Sequence, residues 1–191
     1  MSVKREVTLD ELKKELKKEK EKKKLHLALR ETLTLLLFIV ATAILLAVYA
    51  FPVLQIYGSS MSPSLEDGQM VVCLKTSNIK QGDLVSFYYN NKMLVKRLIA
   101  FPCDWVDIDD EGNVYVNNEL LDEPYIEQKS VGDSDIEFPY QVPQGKYFVM
   151  GDNRNVSIDS RNSTIGDISQ DQIVGKIIFR IYPFTKIGTV N

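Results

Sequence analysis

The hydrophobic pattern along this 191-residue chain changes period once, and the change divides it. Between Glu31 and Glu66 there is no charged residue, and the core of that gap, "TLTLLLFIVATAILLAVYAFPVL" from Thr32 to Leu54, is 23 residues long. A helix of that length spans about 35 Å, enough to cross a hydrocarbon core of about 30 Å. The apolar region of a cleaved signal peptide is shorter, about 7–15 residues. The pattern therefore predicts an uncleaved transmembrane helix over residues 31–54.

Beyond Leu54 the helical pattern gives way to short runs rich in Val, Ile, Tyr and Phe: "MVVCLK", "GDLVSFYY", "KMLVKRLIAF", "DWVDI", "GNVYVN", "KYFVM" and "IVGKIIFRIY". Turn sequences such as "YNNK", "DDEGN" and "VPQG" separate them. Runs of this kind, with no helical segments between them, predict a mostly β domain over 55–191, a barrel or sandwich. The acidic stretch from about 109 to 143 is less apolar than its flanks and reads as a small inserted lobe.

Charge gives the two parts an orientation. Residues 1–30 carry eleven Lys/Arg against six Asp/Glu, whereas residues 31–191 carry twelve against twenty. The Lys-rich stretch "KKELKKEKEKKK" sits directly before the apolar run, and the flank after it, through Leu74, has no Lys or Arg. By the positive-inside rule the N-terminal segment is cytoplasmic and residues 55–191 lie outside, in a single-pass protein of the cell membrane. The basic segment is expected to lie as a solvated Lys/Glu helix against anionic lipid, not on nucleic acid. Cys73 and Cys103 both fall in the outer part, where they either pair or serve as small buried side chains.

Histidine count narrows the chemistry. The single histidine, His26, precedes the apolar run. The outer domain therefore has no Ser-His-Asp triad and no Cys-His pair, and its composition predicts neither metal nor other cofactor. A serine nucleophile there would need a lysine or carboxylate base. Of the eight lysines in 55–191, Lys96 and Lys176 interrupt strongly apolar strands. Burial suits a lysine base, because free lysine is neutral in only about one molecule in 2,500 at pH 7 and desolvation disfavours the ammonium. Spacing alone does not separate the two lysines. In "MGDNRNVSIDSRNSTIG", Met150 to Gly166, an extended backbone would put Ser157 and Asp159 on one face, where both could orient an amine. Asp152, Arg154 and Arg161 offer charges for an ion-pair scaffold.

These pieces, in this order, resemble the type I signal peptidases of bacteria, membrane-anchored Ser/Lys serine proteases that remove signal peptides. The nucleophile motif Ser-Met-x-Pro-(Ser/Thr)-Leu matches Ser60 to Leu65, and Gly-Asp-(Leu/Ile)-Val-x-Phe matches Gly82 to Phe87. The lysine block matches Val95-Lys96-Arg97 with Pro102-Cys103-Asp104, and the last block matches Gly151 to Arg161. The resemblance implies a fold related to the catalytic domains of self-cleaving SOS repressors. It implies Ser60 as nucleophile and Lys96 as general base, with Ser157 and Asp159 orienting the lysine. Asp152, Arg161 and Arg97 would supply structural ion pairs.

Substrate would meet Ile56, Tyr57, Gly58, Met61 and Val95, with "LQIYG" pairing to it as an added strand. The implied partners are signal peptides of exported preproteins with small residues at −1 and −3, together with membrane lipid. The protein is expected to act as a monomer. The alternative is a specialised or silent membrane-anchored assembly factor for pili or surface proteins. The sequence departs from the family at Gly58, which offers no hydroxyl for the oxyanion hole, and at Cys103, where glycine is usual.

Overall fold

The computed structural model of the protein describes residues 9–190; the first eight residues of the expected 1–30 segment lie outside them. The described chain begins with one helix, α1 (Leu9–Ala50), of 42 residues. Among the described residues this is the one helix long and apolar enough to cross a membrane, and it fits a membrane anchor. It stops at Ala50, four residues before the end of the apolar run. Pro52 has no N–H and its ring cannot follow a helical turn, so the chain leaves as a strand and Val53–Leu54 are not helical.

Residues 50–190 form a separate compact unit. Its strands are β1 (Val53–Gln55), β2 (Met70–Leu74), β3 (Leu84–Tyr89), β4 (Lys92–Ala100), β5 (Trp105–Ile108) and β6 (Val114–Val116). They continue as β7 (Glu119–Leu120), β8 (Tyr140–Gln141), β9 (Lys146–Met150), β10 (Ile168–Ser169), β11 (Ile173–Tyr182) and β12 (Gly188–Thr189). The main sheet runs β1-β2-β11-β3-β4-β9-β10 with β12 alongside β11, and a second sheet runs β7-β6-β5-β8. All pairings are antiparallel. The mostly β expectation holds, and every strand-like run of the sequence contains a strand. The strands not anticipated, β1, β7, β8, β10 and β12, are two or three residues long, too short to show a period. The second sheet begins at Trp105, slightly before the expected 109.

Turn chemistry sets the register that matters. Asn90 and Asn91 have φ of 46° and 60°, the left-handed pair a two-residue hairpin needs, and asparagine tolerates it better than most side chains. This turn pairs Tyr89 with Lys92, and the ladder then puts Lys96 opposite Val85 and Arg97 opposite Leu84. Beyond its first residues β4 is covered on both faces. Leu98 packs with Val85, Phe87 and Val149 in the body, while Ile99 and Ala100 pack with Val106, Val114 and Phe148 of the lobe side. The two charged residues just before them, Lys96 and Arg97, are carried into the same dry layer, at 4% and 2% exposure.

Candidate active site

Ser60 sits on a loop pinned at both ends. Ile56 donates to the Gln69 carbonyl and accepts from Gly68, at 2.8 and 2.9 Å. Met61 and Leu65 are buried, and the Leu65 N–H closes a turn onto the Met61 carbonyl at 2.8 Å. Gly58, at φ +82°, turns the chain just before the serine, and its N–H donates to Asp67 Oδ1 at 2.7 Å. Ser60 itself is half-buried. Its carbonyl accepts from Asn153 N–H at 3.1 Å, and its hydroxyl makes no hydrogen bond among the described residues.

Lys96 donates from Nζ to Ser157 Oγ at 2.8 Å, and no carboxylate oxygen lies within 4.0 Å of it. Burial pushes this amine down to about 8. Asp159 pulls it back up, Arg161 pushes it down again, and Asp152 raises it slightly. Gly151 holds the pieces together by having no side chain. A Cβ there would lie 2.2 Å from Ser157 Oγ and 2.5 Å from the Ser60 carbonyl oxygen, distances no Cβ tolerates. Through Gly151, the serine loop and the lysine's hydroxyl partner touch one point.

Three buried ion pairs brace the surroundings. Arg97 grips Asp152 with both ends of its fork, at 2.8 and 2.6 Å, and donates to the Gly82 carbonyl and Ser64 Oγ. Arg161 grips Asp159 the same way, at 2.8 Å for each contact, and donates to the Val131 carbonyl at 2.7 Å. Burial works against the Asp159 charge, yet the Arg161 fork and the Gly151 N–H hold its carboxyl below the usual range. Arg154 pairs with Glu123 of the lobe. Removing either partner of such a pair costs about 3–5 kcal/mol.

Beside the serine loop runs a groove of about 580 Å³, walled by Val53–Tyr57 and Met61 on one side and Lys92–Val95 on the other. Both walls offer unpaired strand edges. β1 pairs only with β2, and β9 joins β4 only from Arg97 onward. Among the described residues no cluster of His, Cys, Asp or Glu side chains is placed to hold a metal.

A family model described as "Signal peptidase, peptidase S26" matches residues 29–182. The chain belongs to this family. It is 37% identical over 164 residues to signal peptidase I of Bacillus licheniformis, covering 78% of this chain and 86% of that protein. To signal peptidase IB of Staphylococcus aureus (strain COL) it is 41% identical over 152 residues, 69% of this chain and 78% of that one. A crystal structure of a signal peptidase I from Enterococcus faecalis V583 aligns over 52% of this chain and 97% of its own, at 28% identity and a TM-score of 0.43. Membership makes the protein a peptidase of the signal-peptide-processing class.

In this signal peptidase the residues singled out from the sequence fall into three groups. Ser60, Lys96, Ser157 and Asp159 converge, but only Ser157 touches the amine; Asp159 is spent on Arg161 and reaches Lys96 through space. Asp152, Arg161 and Arg97 each have a buried ion-pair partner. Asp152 belongs to Arg97, and Arg161 belongs to Asp159, its neighbour two residues back. Ile56, Tyr57, Met61 and Val95 line the groove, whereas Gly58 is not among its walls. The cysteines are both free, Cys73 buried and Cys103 exposed. Cys103 has φ +72°, a left-handed backbone that glycine adopts more easily than a residue with a side chain.

Sequence reading missed Glu123 and Tyr125. Tyr125 lays its ring 3.6 Å from the Arg97 guanidinium carbon. It also overlooked why Ser64 is Ser or Thr in the motif: its hydroxyl accepts from Arg97 Nη2 at 3.1 Å. An unpartnered Arg154 in the last block was the one available signal for Glu123.

Proposed function

We propose that this peptidase is a membrane-anchored serine endopeptidase that cuts signal peptides from exported preproteins, with Ser60 as nucleophile and Lys96 as general base. The observation that carries the reading is a dry lysine amine, bonded to a hydroxyl instead of a carboxylate, beside the loop that presents an unbonded serine. With its amine titrating near 8, a sizeable fraction of Lys96 is neutral at pH 7–8.

The neutral Lys96 amine takes the Ser60 hydroxyl proton, and Oγ attacks the scissile carbonyl. Negative charge forms on the carbonyl oxygen, toward which the Ser60 backbone N–H is free to donate. The intermediate collapses as the Lys96 ammonium returns its proton to the leaving amine. Water then gives a proton to the same lysine while its oxygen adds to the acyl carbon; the carbon–Oγ bond breaks as the Lys96 ammonium returns that proton to Ser60 Oγ, which frees the acid product and restores the enzyme. No hydrogen bond joins Ser60 Oγ to Lys96 in the free protein; such contacts tighten when substrate is bound. Ser157 orients the amine directly, and the Asp159–Arg161 pair acts as a fixed support behind it.

An extended substrate segment fits between the free edges of β1 and β4 as an added strand. The apolar walls at Ile56, Met61 and Val95 favour small side chains before the cut. Ser60 lies six residues past Leu54, at most about 20 Å from the end of the apolar run. With the helix as anchor, its basic segment cytoplasmic and the β unit outside, the site is tethered where membrane-inserted signal peptides emerge. The test is cleavage of a membrane-inserted preprotein by wild type, Ser60→Ala and Lys96→Ala. Each variant is expected to lose at least about 100-fold in rate, and full activity in either one overturns the assignment.

A further inference from the structure

The serine loop divides two clefts. Met61 lines the apolar groove described above, and the next residue, Ser62, lines a smaller cleft of about 170 Å³ with Asn153, Asp152, Glu127 and Gln128. The two clefts share no residue. Asn153 also donates its N–H to the Ser60 carbonyl, so the small cleft begins at the nucleophile's own backbone.

Its far wall comes from the lobe and is held firmly. Glu123 is ion-paired to Arg154, Tyr125 stacks on Arg97, and Asn155 donates to Gln128 Oε1 at 3.3 Å. Charges around the cleft nearly cancel. Asp152 is neutralised by Arg97 and Glu123 by Arg154, and Lys129 is turned to Asn113 Oδ1. Of the two carboxylates that line the cleft, Asp152 is buried and paired, whereas Glu127 is exposed and has no ion-pair partner among the described residues.

A substrate cut at Ser60 must extend to both sides of it. The apolar groove matches the apolar signal peptide, which leaves the polar cleft for the part that departs with the new amine. We propose that this cleft receives the first two residues of the released polypeptide, and that Glu127 makes the enzyme prefer a basic over an acidic side chain there. The proposal rests on the Ser60/Lys96 reading above, and it assigns Glu127 a role in specificity, not in bond cleavage.

The test uses the full-length enzyme in vesicles of neutral lipid and three preproteins that differ only in carrying Lys, Gln or Glu at the second position after the cut. For wild type, kcat/KM for the Lys substrate is expected to exceed that for the Glu substrate about three- to tenfold at low salt. Attraction of one charge and repulsion of the other each contribute a few-fold at an exposed site. The ratio should fall toward one in Glu127→Gln, invert in Glu127→Lys, and shrink for wild type as salt is raised. Glu119→Gln, which removes a carboxylate elsewhere on the lobe, should leave the ratio intact. An identical ratio in wild type, Glu127→Gln and Glu127→Lys overturns the proposal, as does an equal loss on all three substrates. If wild type fails to cut the Gln substrate, the Ser60/Lys96 reading fails instead.

Discussion

Lys96 on β4 and Lys176 on β11 are neighbours of the same residue: each is the register partner of Val85 on the strand between them. The two strands read alike in sequence, yet they leave their amines in opposite surroundings. Lys176 keeps a quarter of its side chain in solvent and pairs with Asp83 Oδ2 at 3.2 Å. Lys96 is sealed under the loop from Gly151 to Arg161, and its direct partner there is the neutral Ser157 hydroxyl. Water and a carboxylate both stabilise an ammonium; a dry hydroxyl stabilises it far less. What sets the Lys96 amine apart is its burial against the Ser157 hydroxyl, with the Asp159 carboxylate held by Arg161 instead of by the lysine.

The largest expected contrast is in activity. Lys96→Ala should abolish preprotein cleavage, whereas Lys176→Ala should keep kcat/KM within about twofold, since a part-exposed pair away from the serine loop is worth little. Comparable losses in the two variants would erase the distinction. A second contrast is in pH dependence. With the amine at about 8, kcat/KM should climb about tenfold per pH unit below 8 and level off above it. Lys176→Met should leave that limb where it is, and a limb that moves with Lys176 would assign the base to the wrong strand.

The smallest contrast is in stability. The folded protein sheds the Lys96 proton near pH 8, and the unfolded chain does so near 10.5. Burying the ammonium therefore penalises the fold fully below pH 8, and the penalty is relieved as pH rises from 8 to 10.5. In urea titrations at pH 7, Lys96→Met should stabilise by up to about 3 kcal/mol, with the gain fading as pH rises from 8 to 10.5. Lys176→Met should change stability by less than about 1 kcal/mol at either pH. A destabilised Lys96→Met would mean that the ammonium is well accommodated.

Much of the site was legible because its residues lie in short, dense motifs. Ser60, Lys96 and Ser157 were placed by "SMSPSL", "VKR" and "GDNRNVSIDSR", and the strands around them by period-two runs long enough to show. The pairings were not legible. Arg161 had carboxylates at 152 and 159 to choose from, and an extended reading of the loop puts no preference between them. The fold chose Asp159, because the loop closes tightly enough for the guanidinium to span Asp159 and the carbonyls of Val131 and Arg154. Glu123 and Tyr125 stand in the acidic stretch between β7 and β8, where no period marks them, yet they dock the lobe onto Arg154 and Arg97.

By itself the sequence determined the apolar helix, the mostly β unit after it, and the residues able to do chemistry, because each of these is a local property of composition, period or motif. Only the tertiary structure decided which lysine is dry, which arginine holds which carboxylate, and which cleft lies on each side of Ser60. Desolvation and ion pairing depend on what residues distant in the chain bring alongside, and no window of neighbouring residues contains that information.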